Sequence, residues 1–269
     1  FIHIEYYIFR MDNLGEVIIN ELKKKVDEGV EVRLLVDGMG SKSLRGKKIN
    51  YIRSLGIKFY LFFPGILPYI NTRINFRNHR KIVVIDGNIG YVGGFNVGDE
   101  YINRGEQFKY WRDTHIRIQG EAVNELNKRF ILDWDYASEG ELKSYDEYFI
   151  SQEVNGDIGI QIISSGPDHK EEFIKNAYMK IINNAKKKVY IQTPYLVLDE
   201  PMKEALKISA LSGVDVRIMV PGKPDHFFME WILSANMGEL MECGIKIYKY
   251  ENGFIHSKTI IADGKVASI

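Results

Sequence analysis

The chain has 269 residues, and its 36 Lys and Arg side chains balance 36 Asp and Glu side chains, so the formal net charge is zero. A zero net charge gives no bulk attraction for nucleic acid, and only a local basic cleft would provide one. The single cysteine, Cys243, excludes an internal disulfide. The sequence contains no run of about 18 apolar residues, so it predicts no transmembrane helix.

The beginning of the chain predicts alternating strands and helices. Ile2 to Phe9 is apolar and β-branched, which is typical of a buried strand. We expect the first helix to begin with a capping box formed by Asn13 and Glu16, and to end near Glu28, before a glycine. The next predicted elements are a strand from Glu31 to Val36, a helix from Lys48 to Leu55 and a strand from Ile57 to Phe62.

The second half of the chain repeats this order. Val189 to Leu196 matches the first strand, and Asp199 is predicted to cap a helix that ends at Gly213. Two further segments, Val214 to Val220 and Gly244 to Tyr248, echo Val30 to Val36 and Gly56 to Tyr60. The pattern indicates a duplication. Strands that alternate with helices predict an α/β fold with a parallel or mixed sheet in each half.

Two segments break the symmetry between the halves, Gly120 to Gly166 and Phe62 to Arg77, and the second is much longer than its counterpart, Glu251 to Ile255. Glu121 to Tyr136 predicts an amphipathic helix, and the polar segment from Ser138 to Gly156 is interpreted as a linker. We place the domain boundary near residue 150, which gives domains 1–150 and 151–269. The apolar and aromatic segment from Phe62 to Arg77 has two interpretations of equal weight, a loop packed on its own domain or a contact with acyl chains or a membrane surface.

A short motif, H-x-K-x4-D, occurs twice and carries the chemistry. The first copy is His79, Lys81 and Asp86, and the second is His256, Lys258 and Asp263. On a strand, residues two apart point to the same face, so each His lies beside its Lys. Such a pair is costly beside an apolar run unless an anion binds there. Lys then supplies positive charge, and His supplies a nucleophile or a proton.

The doubled motif resembles the phospholipase D superfamily. The first copy continues as that family does, with Gly93-Gly94-Phe95-Asn96, where Asn96 matches the residue that contacts phosphate. The chain further resembles one branch, the bacterial cardiolipin synthases. The segments that carry this likeness are Asn78-His79-Arg80-Lys81, Asn96-Val97-Gly98-Asp99-Glu100-Tyr101, Trp111-Arg112-Asp113-Thr114-His115, Gln192-Thr193-Pro194-Tyr195 and Val220-Pro221-Gly222-Lys223-Pro224-Asp225-His226.

The resemblance implies a fold of two tandem phospholipase D-like α/β/α repeats. They would be related by pseudo-two-fold symmetry, with the active site at the seam where both motifs meet. It also implies a Gly-Ser/Thr-x-Asn segment after the second motif, so we expect the second repeat to be truncated at its C-terminal end. Bacterial cardiolipin synthases carry N-terminal membrane helices. We therefore expect a protein of the cell membrane whose helices precede this chain.

The resemblance also implies a mechanism, a metal-independent exchange through a phosphohistidine, without a cofactor. The family's order assigns the nucleophile to His79 and the acid/base role to His256, whereas the symmetry of the sequence leaves this order open. Lys81 and Lys258 would hold the phosphoryl oxygens.

Acidic residues near the motifs have supporting roles. Asp113 is our candidate to orient one ring nitrogen of His79, and the alternative is a surface salt bridge with Arg112. We interpret Asp86 and Asp263 as structural residues that end a strand and bind either turn amides or a Lys or Arg partner. Of the other histidines, His3 and His115 are interpreted as structural. His226 is either part of a helix start or a contact for a lipid headgroup.

The leading hypothesis is phosphatidyl transfer between two phosphatidylglycerol molecules, which gives cardiolipin and glycerol. The partners would be this phospholipid and the membrane surface, with no nucleic acid. A hydrolase of the phospholipase D type, or another phosphatidyltransferase, is the enzymatic alternative. A nuclease is disfavoured, because the charge is balanced and no basic-aromatic groove is evident. An inactive membrane-binding module is the non-catalytic alternative.

Overall fold

The structure is a computed structural model that describes residues 1–64, 76–151, 156–225 and 237–269. It divides into two compact units. The first unit comprises Phe1–Tyr101 and His115–Ile162, and the second comprises Ile102–Thr114 and Ile163–Ile269. The sequence predicted contiguous halves that meet near residue 150. In the structure, the segment Ile102–Thr114 belongs to the second unit, so neither unit is continuous in sequence.

Strands and helices alternate at the beginning of each half of the chain, as the sequence predicted. The strands are β1 (Ile2–Tyr6), β2 (Val32–Asp37), β3 (Lys58–Phe62), β4 (Ile82–Ile85), β5 (Ile89–Gly93), β6 (Trp111–Arg112), β7 (His115–Gln119), β8 (Lys188–Gln192), β9 (Asp215–Pro221), β10 (Lys246–Tyr250), β11 (Phe254–Ile255), β12 (Thr259–Ala262) and β13 (Val266–Ser268). The helices are α1 (Asn13–Asp27), α2 (Lys47–Ser54), α3 (Ala122–Ser138), α4 (Phe173–Asn184) and α5 (Glu200–Leu211).

The first unit is built on a six-stranded mixed sheet with the order β3-β2-β1-β4-β5-β7. β1, β2 and β3 are parallel, whereas β4 runs antiparallel to β1 and continues into an antiparallel meander. Every residue of β2 is buried, as expected for a strand covered on both faces. Ile19 and Leu22 of α1 belong to one core cluster, and Phe130 and Trp134 of α3 belong to another.

The second unit contains a five-stranded sheet with the order β10-β9-β8-β12-β13. β8, β9 and β10 are parallel, and β12 is antiparallel to β8. Its core includes Val189, Leu206 and Ile218. This strand order repeats the first five positions of the other sheet, so the α/β class and the repeated element order are confirmed. The pseudo-two-fold relation between the halves stays a prediction.

Side-chain caps fix where two helices begin. Asp199 caps α5 as predicted, because its Oδ1 accepts a hydrogen bond from the Met202 amide at 3.0 Å. The predicted capping box of α1 is wrong. Asp12 is the cap, with Oδ1 3.2 Å from the Gly15 amide, and Asn13 is already helical.

Both leading strands are shorter than predicted. β1 ends at Tyr6, because the next backbone groups are bound by a side chain. The Ser41 hydroxyl donates to the Tyr7 carbonyl and accepts from the Phe9 amide. β8 ends at Gln192, because the Thr193 hydroxyl closes a local turn with Tyr195.

Some sequence expectations lie outside the described residues. Most of the apolar segment from Phe62 to Arg77 does so, as does His226, so their proposed contacts with lipid stay predictions. Within the described residues, no helix combines the length and the apolar character that crossing a membrane requires.

Candidate active site

The first motif lies in the first unit, just before β4. Asn78 closes a local turn there, because its Oδ1 accepts a hydrogen bond from the Arg80 amide at 3.0 Å. The backbone amide of Asn78 donates to Asp37 Oδ2, also at 3.0 Å, and ties this turn to the end of β2. His79 is exposed, whereas Lys81 is mostly buried. The turn therefore presents the imidazole to solvent at the edge where the parallel strands end.

An aromatic stack holds the His79 ring. The Tyr7 ring lies against it, with the ring centroids 3.9 Å apart and the planes 24° from parallel. Lys81 Nζ donates to the His79 carbonyl at 2.5 Å and lies 5.3 Å from the centroid of the Tyr7 ring. Stacking restricts the imidazole through its face and leaves the chemistry to its edge. Tyr7 was missed by the sequence analysis.

Asn96, the predicted phosphate contact, helps to hold together the segments near the first motif. Its side chain is buried, and its Oδ1 accepts a hydrogen bond from the Ile8 amide at 3.1 Å. It also hydrogen-bonds Tyr101, whose pKa burial raises above the usual value for a tyrosine. Asn96 therefore ties the segment after β5 to the segment after β1. Its contact with a phosphate stays a prediction.

The second motif is positioned by a short pair of parallel strands in the second unit. β6 pairs with β11, so Trp111 lies opposite Phe254. The His256 amide donates to the Arg112 carbonyl at 2.7 Å and extends this pairing by one bond. Asp113 and His256 directly follow the two strands. The pairing therefore places their side chains together, although 143 residues separate them.

Asp113 and His256 form a short side-chain contact. Asp113 Oδ2 lies 2.6 Å from His256 Nδ1, and the Asp113 side chain is fully buried at 0% exposure. Its other oxygen accepts a hydrogen bond from the Thr114 amide at 2.8 Å. Since an ionised carboxylate only accepts hydrogen bonds, Nδ1 carries the proton in this arrangement and Nε2 is left as the basic atom.

Lys258 completes the chain of contacts. Its Nζ lies 3.0 Å from His256 Nε2 and 2.7 Å from the His256 carbonyl. Although part of the side chain is exposed, the surrounding protein removes enough water to lower the pKa of Lys258 to about 8. The carboxylates of Asp113 and Asp225 offset part of that shift. Lys258 is therefore a cation that can lose its proton in mildly alkaline solution.

Our expectation for the partner of Asp113 is wrong. We predicted that Asp113 orients His79, and the structure pairs it with His256. The reason is that Ile102–Thr114 packs in the second unit, through the β6–β11 pair. The alternative, a salt bridge with Arg112, is not what the structure shows. The Arg112 guanidinium lies 5.9 Å from the centroid of the Tyr250 ring.

The aspartates of both motifs occupy tight turns, as predicted. Asp86 and Gly87 have φ of 50° and 63°, and Asp263 and Gly264 have φ of 55° and 69°. Each pair lies in the middle of a hydrogen-bonded hairpin turn, which matches the Asp-Gly preference of type I′ turns. The Asp263 carboxylate also accepts hydrogen bonds from the amides of residues 186, 187 and 188, at 2.8 to 2.9 Å. These contacts give Asp263 a structural role.

A group of carboxylates lies elsewhere on the second unit. Glu200, Glu204 and Glu239 are close enough to share a metal ion. Lys203 and Lys207 form ion pairs with all three carboxylates, at 2.7 to 3.2 Å. The two lysines offset two of the three negative charges, and we assign no catalytic role to the group.

One family model matches most of the chain, including both motifs. A family described as "Cardiolipin synthase, PLD-like domain" matches residues 1–134 and 178–269. The chain belongs to this family. Both H-x-K-x4-D motifs of the PLD-like domain, with His79 and His256, fall inside the matched residues.

Relatives of this PLD-like domain carry the same family name. A cardiolipin synthase of Clostridium perfringens is 54% identical over 274 residues, and the match covers 100% of this chain and 57% of that protein. Cardiolipin synthase 2 of Staphylococcus epidermidis is 54% identical over 270 residues, with 100% of this chain and 55% of that protein covered. The chain therefore spans just over half the length of these relatives.

Solved structures confirm the fold. A phosphatidylserine synthase of Haemophilus influenzae superposes with a TM-score of 0.64 at 15% identity, over 97% of this chain and 70% of that one. A polyphosphate kinase of Porphyromonas gingivalis gives a TM-score of 0.55 at 14% identity, over 98% of this chain and 39% of that one. At these identities the likeness concerns the architecture of the PLD-like domain alone.

Proposed function

We propose that this chain is the catalytic region of a cardiolipin synthase. The reaction would convert two phosphatidylglycerol molecules into cardiolipin and glycerol. The observation that carries this proposal is the contact chain from Asp113 through His256 to Lys258, which forms a prepared acid/base half-site. The 54% identity to cardiolipin synthases over the whole chain supports the choice of substrate.

In the first step, His79 attacks the phosphorus of one phosphatidylglycerol. The bond from phosphorus to the headgroup oxygen breaks, and protonated His256 gives its Nε2 proton to that oxygen, so glycerol leaves. The phosphatidyl group stays on His79 as a phosphohistidine. The Asp113 carboxylate stabilises the imidazolium that donates the proton. Because it binds Nδ1, it also orients the ring so that Nε2 points away from Asp113.

In the second step, the roles of the histidines reverse. His256 Nε2 takes the proton from a headgroup hydroxyl of the second phosphatidylglycerol, and that oxygen attacks the phosphohistidine. The bond to His79 breaks, and cardiolipin leaves. One phosphodiester is exchanged for another, so the reaction consumes no nucleotide. Both imidazoles must act on one phosphorus atom, which is a requirement of this proposal.

The lysines supply fixed charge to the phosphoryl oxygens in both steps. Lys258 already lies 3.0 Å from His256 Nε2, so an oxygen bound there would be within reach of both groups. Lys81 is held beside His79 through its bond to the His79 carbonyl. Positive charge at this position stabilises the extra negative charge of the transition state.

The substrate is a membrane lipid, so we propose that the site works at the surface of the bacterial cell membrane. In the longer relatives, additional segments account for the rest of the protein. Transfer in place of hydrolysis requires that water be kept from the phosphohistidine. Phosphatidic acid as the main product would identify a hydrolase instead, and a different phosphatidyl ester would identify another transferase.

The test is an assay of the purified chain with phosphatidylglycerol in mixed micelles. We expect cardiolipin and glycerol in equal amounts. His79→Asn and His256→Asn should each abolish the product, whereas the exposed His169→Asn should not change it. Brief reaction with phosphate-labelled lipid should label a peptide that contains His79. A label on the His256 peptide would reverse the two roles, and full activity of both Asn variants would reject the proposal.

A further inference from the structure

A buried acid lies beneath the first motif and has no part in the mechanism above. Glu5, on β1, has 1% of its surface exposed. In the sheet it lies between Leu35 of β2 and Ile82 of β4, two buried apolar residues. An isolated carboxylate at such a place is costly, because little water can solvate it. The position therefore needs an explanation in terms of its contacts.

Glu5 contacts the residue that precedes His79. Asn78 Nδ2 donates a short hydrogen bond to Glu5 Oε1. Asn78 is itself only 3% exposed. Its backbone amide donates to Asp37, and its Oδ1 accepts a hydrogen bond from the Arg80 amide. Three separate contacts thus fix one asparagine, and Glu5 supplies the only one from β1 among them. The orientation of the turn that carries His79 depends on this side chain.

The charges around Glu5 favour its neutral form. Asp133 faces it from α3, and both nearby guanidiniums bind Asp133. Arg80 Nη1 and Arg129 Nε donate to Asp133 Oδ2 at 3.0 and 3.1 Å. Glu5 instead accepts a hydrogen bond from the neutral side-chain amide of Asn78. Burial first, and then the negative charge of Asp133, raise the pKa of Glu5 well above 4.5, and Arg80 offsets part of this effect.

The second unit has a neutral amide at the matching place. Glu5 lies opposite Ile82, the residue after Lys81, and Gln192 on β8 lies opposite Thr259, the residue after Lys258. The two repeats therefore hold Glu5 and Gln192 at equivalent positions in the sheet. The fold accommodates an uncharged side chain of this length there.

We propose that Glu5 is a positioning residue that keeps its proton and, as a neutral carboxylic acid, fixes Asn78 and through it His79. Its importance for activity rests on the proposed function, since it matters only if His79 attacks phosphorus. Its protonation state does not rest on that function and can be tested separately.

The first test measures stability against pH. We compare urea unfolding of the wild type and Glu5→Gln between pH 4 and 8. A group whose pKa is raised on folding stabilises the protein below its unfolded pKa, about 4.5, and this stabilisation is lost as the pH rises. The unfolding constant of the wild type, relative to that of Glu5→Gln, should therefore rise with pH by up to tenfold per unit. A ratio that falls with pH would show an ionised Glu5 and overturn the proposal. Glu16→Gln, at an exposed position on α1, is the control for removing a surface carboxylate.

The second test measures the rate constant of transfer. Glu5→Gln should stay within about threefold of the wild type, because the amide replaces the acid as a partner for Asn78. Glu5→Leu packs in the same space without that partner, and kcat should fall about 10-fold or more with little change in KM. Asn78→Ala should lower kcat similarly, and the double variant Glu5→Leu with Asn78→Ala should lose no more than either single one.

The two tests separate the possible failures. Equal activity of Glu5→Leu and the wild type would overturn the positioning role, even if the pH test succeeds. If His79→Asn retains full activity, the proposed function fails, and the unfolding ratios still report the proton on Glu5.

Discussion

The carboxylate of Asp113 lies 2.6 Å from Nδ1 of His256, although 143 residues separate the two in the sequence. The two-residue strands that directly precede them, β6 and β11, pair in parallel and bring the two side chains together. The contact fixes the tautomer of the imidazole and stabilises its protonated form. In the proposed function, acid/base catalysis by His256 depends on this relationship.

Replacing Asp113 with Asn should lower kcat strongly while leaving the fold intact. The amide fits the same space, but it can donate to Nδ1 and so favour the tautomer that carries its proton on Nε2. Comparable changes in acid/base triads cost about 10,000-fold, so we expect a loss of about 100- to 10,000-fold. The measurement is cardiolipin formation by the purified variant, with its unfolding midpoint taken in parallel.

The control is Asp157→Asn at an exposed position of the first unit, which should not change kcat. A loss of less than threefold in Asp113→Asn, with the fold preserved, would show that His256 does not need a fixed tautomer.

Lys258 should impose an upper pH limit on activity. Its pKa is lowered to about 8, chiefly by burial, so it loses its charge and its hold on phosphoryl oxygens as the pH rises through that value. Lys258→Arg should move the limit upward, because a guanidinium stays charged. Lys258→Met should lose about 100-fold or more at neutral pH. The measurement is kcat/KM from pH 6 to 10.

Stability should change in the opposite direction over the same range. The pKa of Lys258 is lower in the folded protein, so the unfolded chain binds more protons between about pH 8 and 10.5. Folding is then favoured as the pH rises. Activity that falls while the urea midpoint holds or increases would assign the limit to the site. A parallel loss of both would contradict the assignment.

Tyr7 should support His79 through its ring and not through its hydroxyl. The stack at 3.9 Å is aromatic, and such pairs contribute about 0.5–1.5 kcal/mol beyond burial. We expect Tyr7→Phe to keep kcat within about twofold. Tyr7→Ala should lower it by about 2- to 13-fold, the range to which that free energy corresponds. Tyr51→Ala, at an exposed position of α2, serves as the control. Equal losses in Tyr7→Phe and Tyr7→Ala would assign the role to the hydroxyl.

The sequence predicted the parts of this protein that depend on local patterns. Apolar runs separated by helical segments predicted the α/β class and the repeated order of elements along the chain, and the motif spacing located His79 and His256. The Asp-Gly pairs that end the motif strands predicted tight turns, because that dipeptide readily takes positive φ. Each of these features is determined by residues that are neighbours along the chain.

The contacts at the site that the sequence did not predict join distant segments. β6 and β11 are two residues long, so they have no periodicity that could announce their pairing. Without that pair, nothing local distinguishes His256 from His79 as the partner of Asp113. Tyr7 was likewise assigned to an extended strand, whereas the Ser41 hydroxyl ends β1 before it and frees its ring to stack. A pairing of two short strands decided the first outcome, and a side-chain hydrogen bond decided the second.

Asp263 should matter for stability and not for the chemical step. It accepts three backbone amides, and these hydrogen bonds lower its pKa from 3.8 to about 2. Its φ of 55° adds a second requirement, because alanine takes positive φ less readily than aspartate does. Asp263→Ala should therefore lower the urea midpoint, while kcat of the folded fraction stays within about twofold, since the motif's His and Lys keep their contacts.

The dependence of this effect on pH identifies its cause. A carboxylate whose pKa is lowered on folding stabilises the protein above its unfolded pKa, 3.8, and this contribution is lost as the pH falls towards 2. The difference in urea midpoint between the wild type and Asp263→Ala should thus shrink on acidification. Asp263→Asn, which tolerates positive φ, should lose the pH-dependent part and retain the conformational part. The kcat of both folded variants is also compared with that of the wild type at pH 5, 6 and 7. A fall of about 100-fold at every pH would instead place the carboxylate in the chemical step.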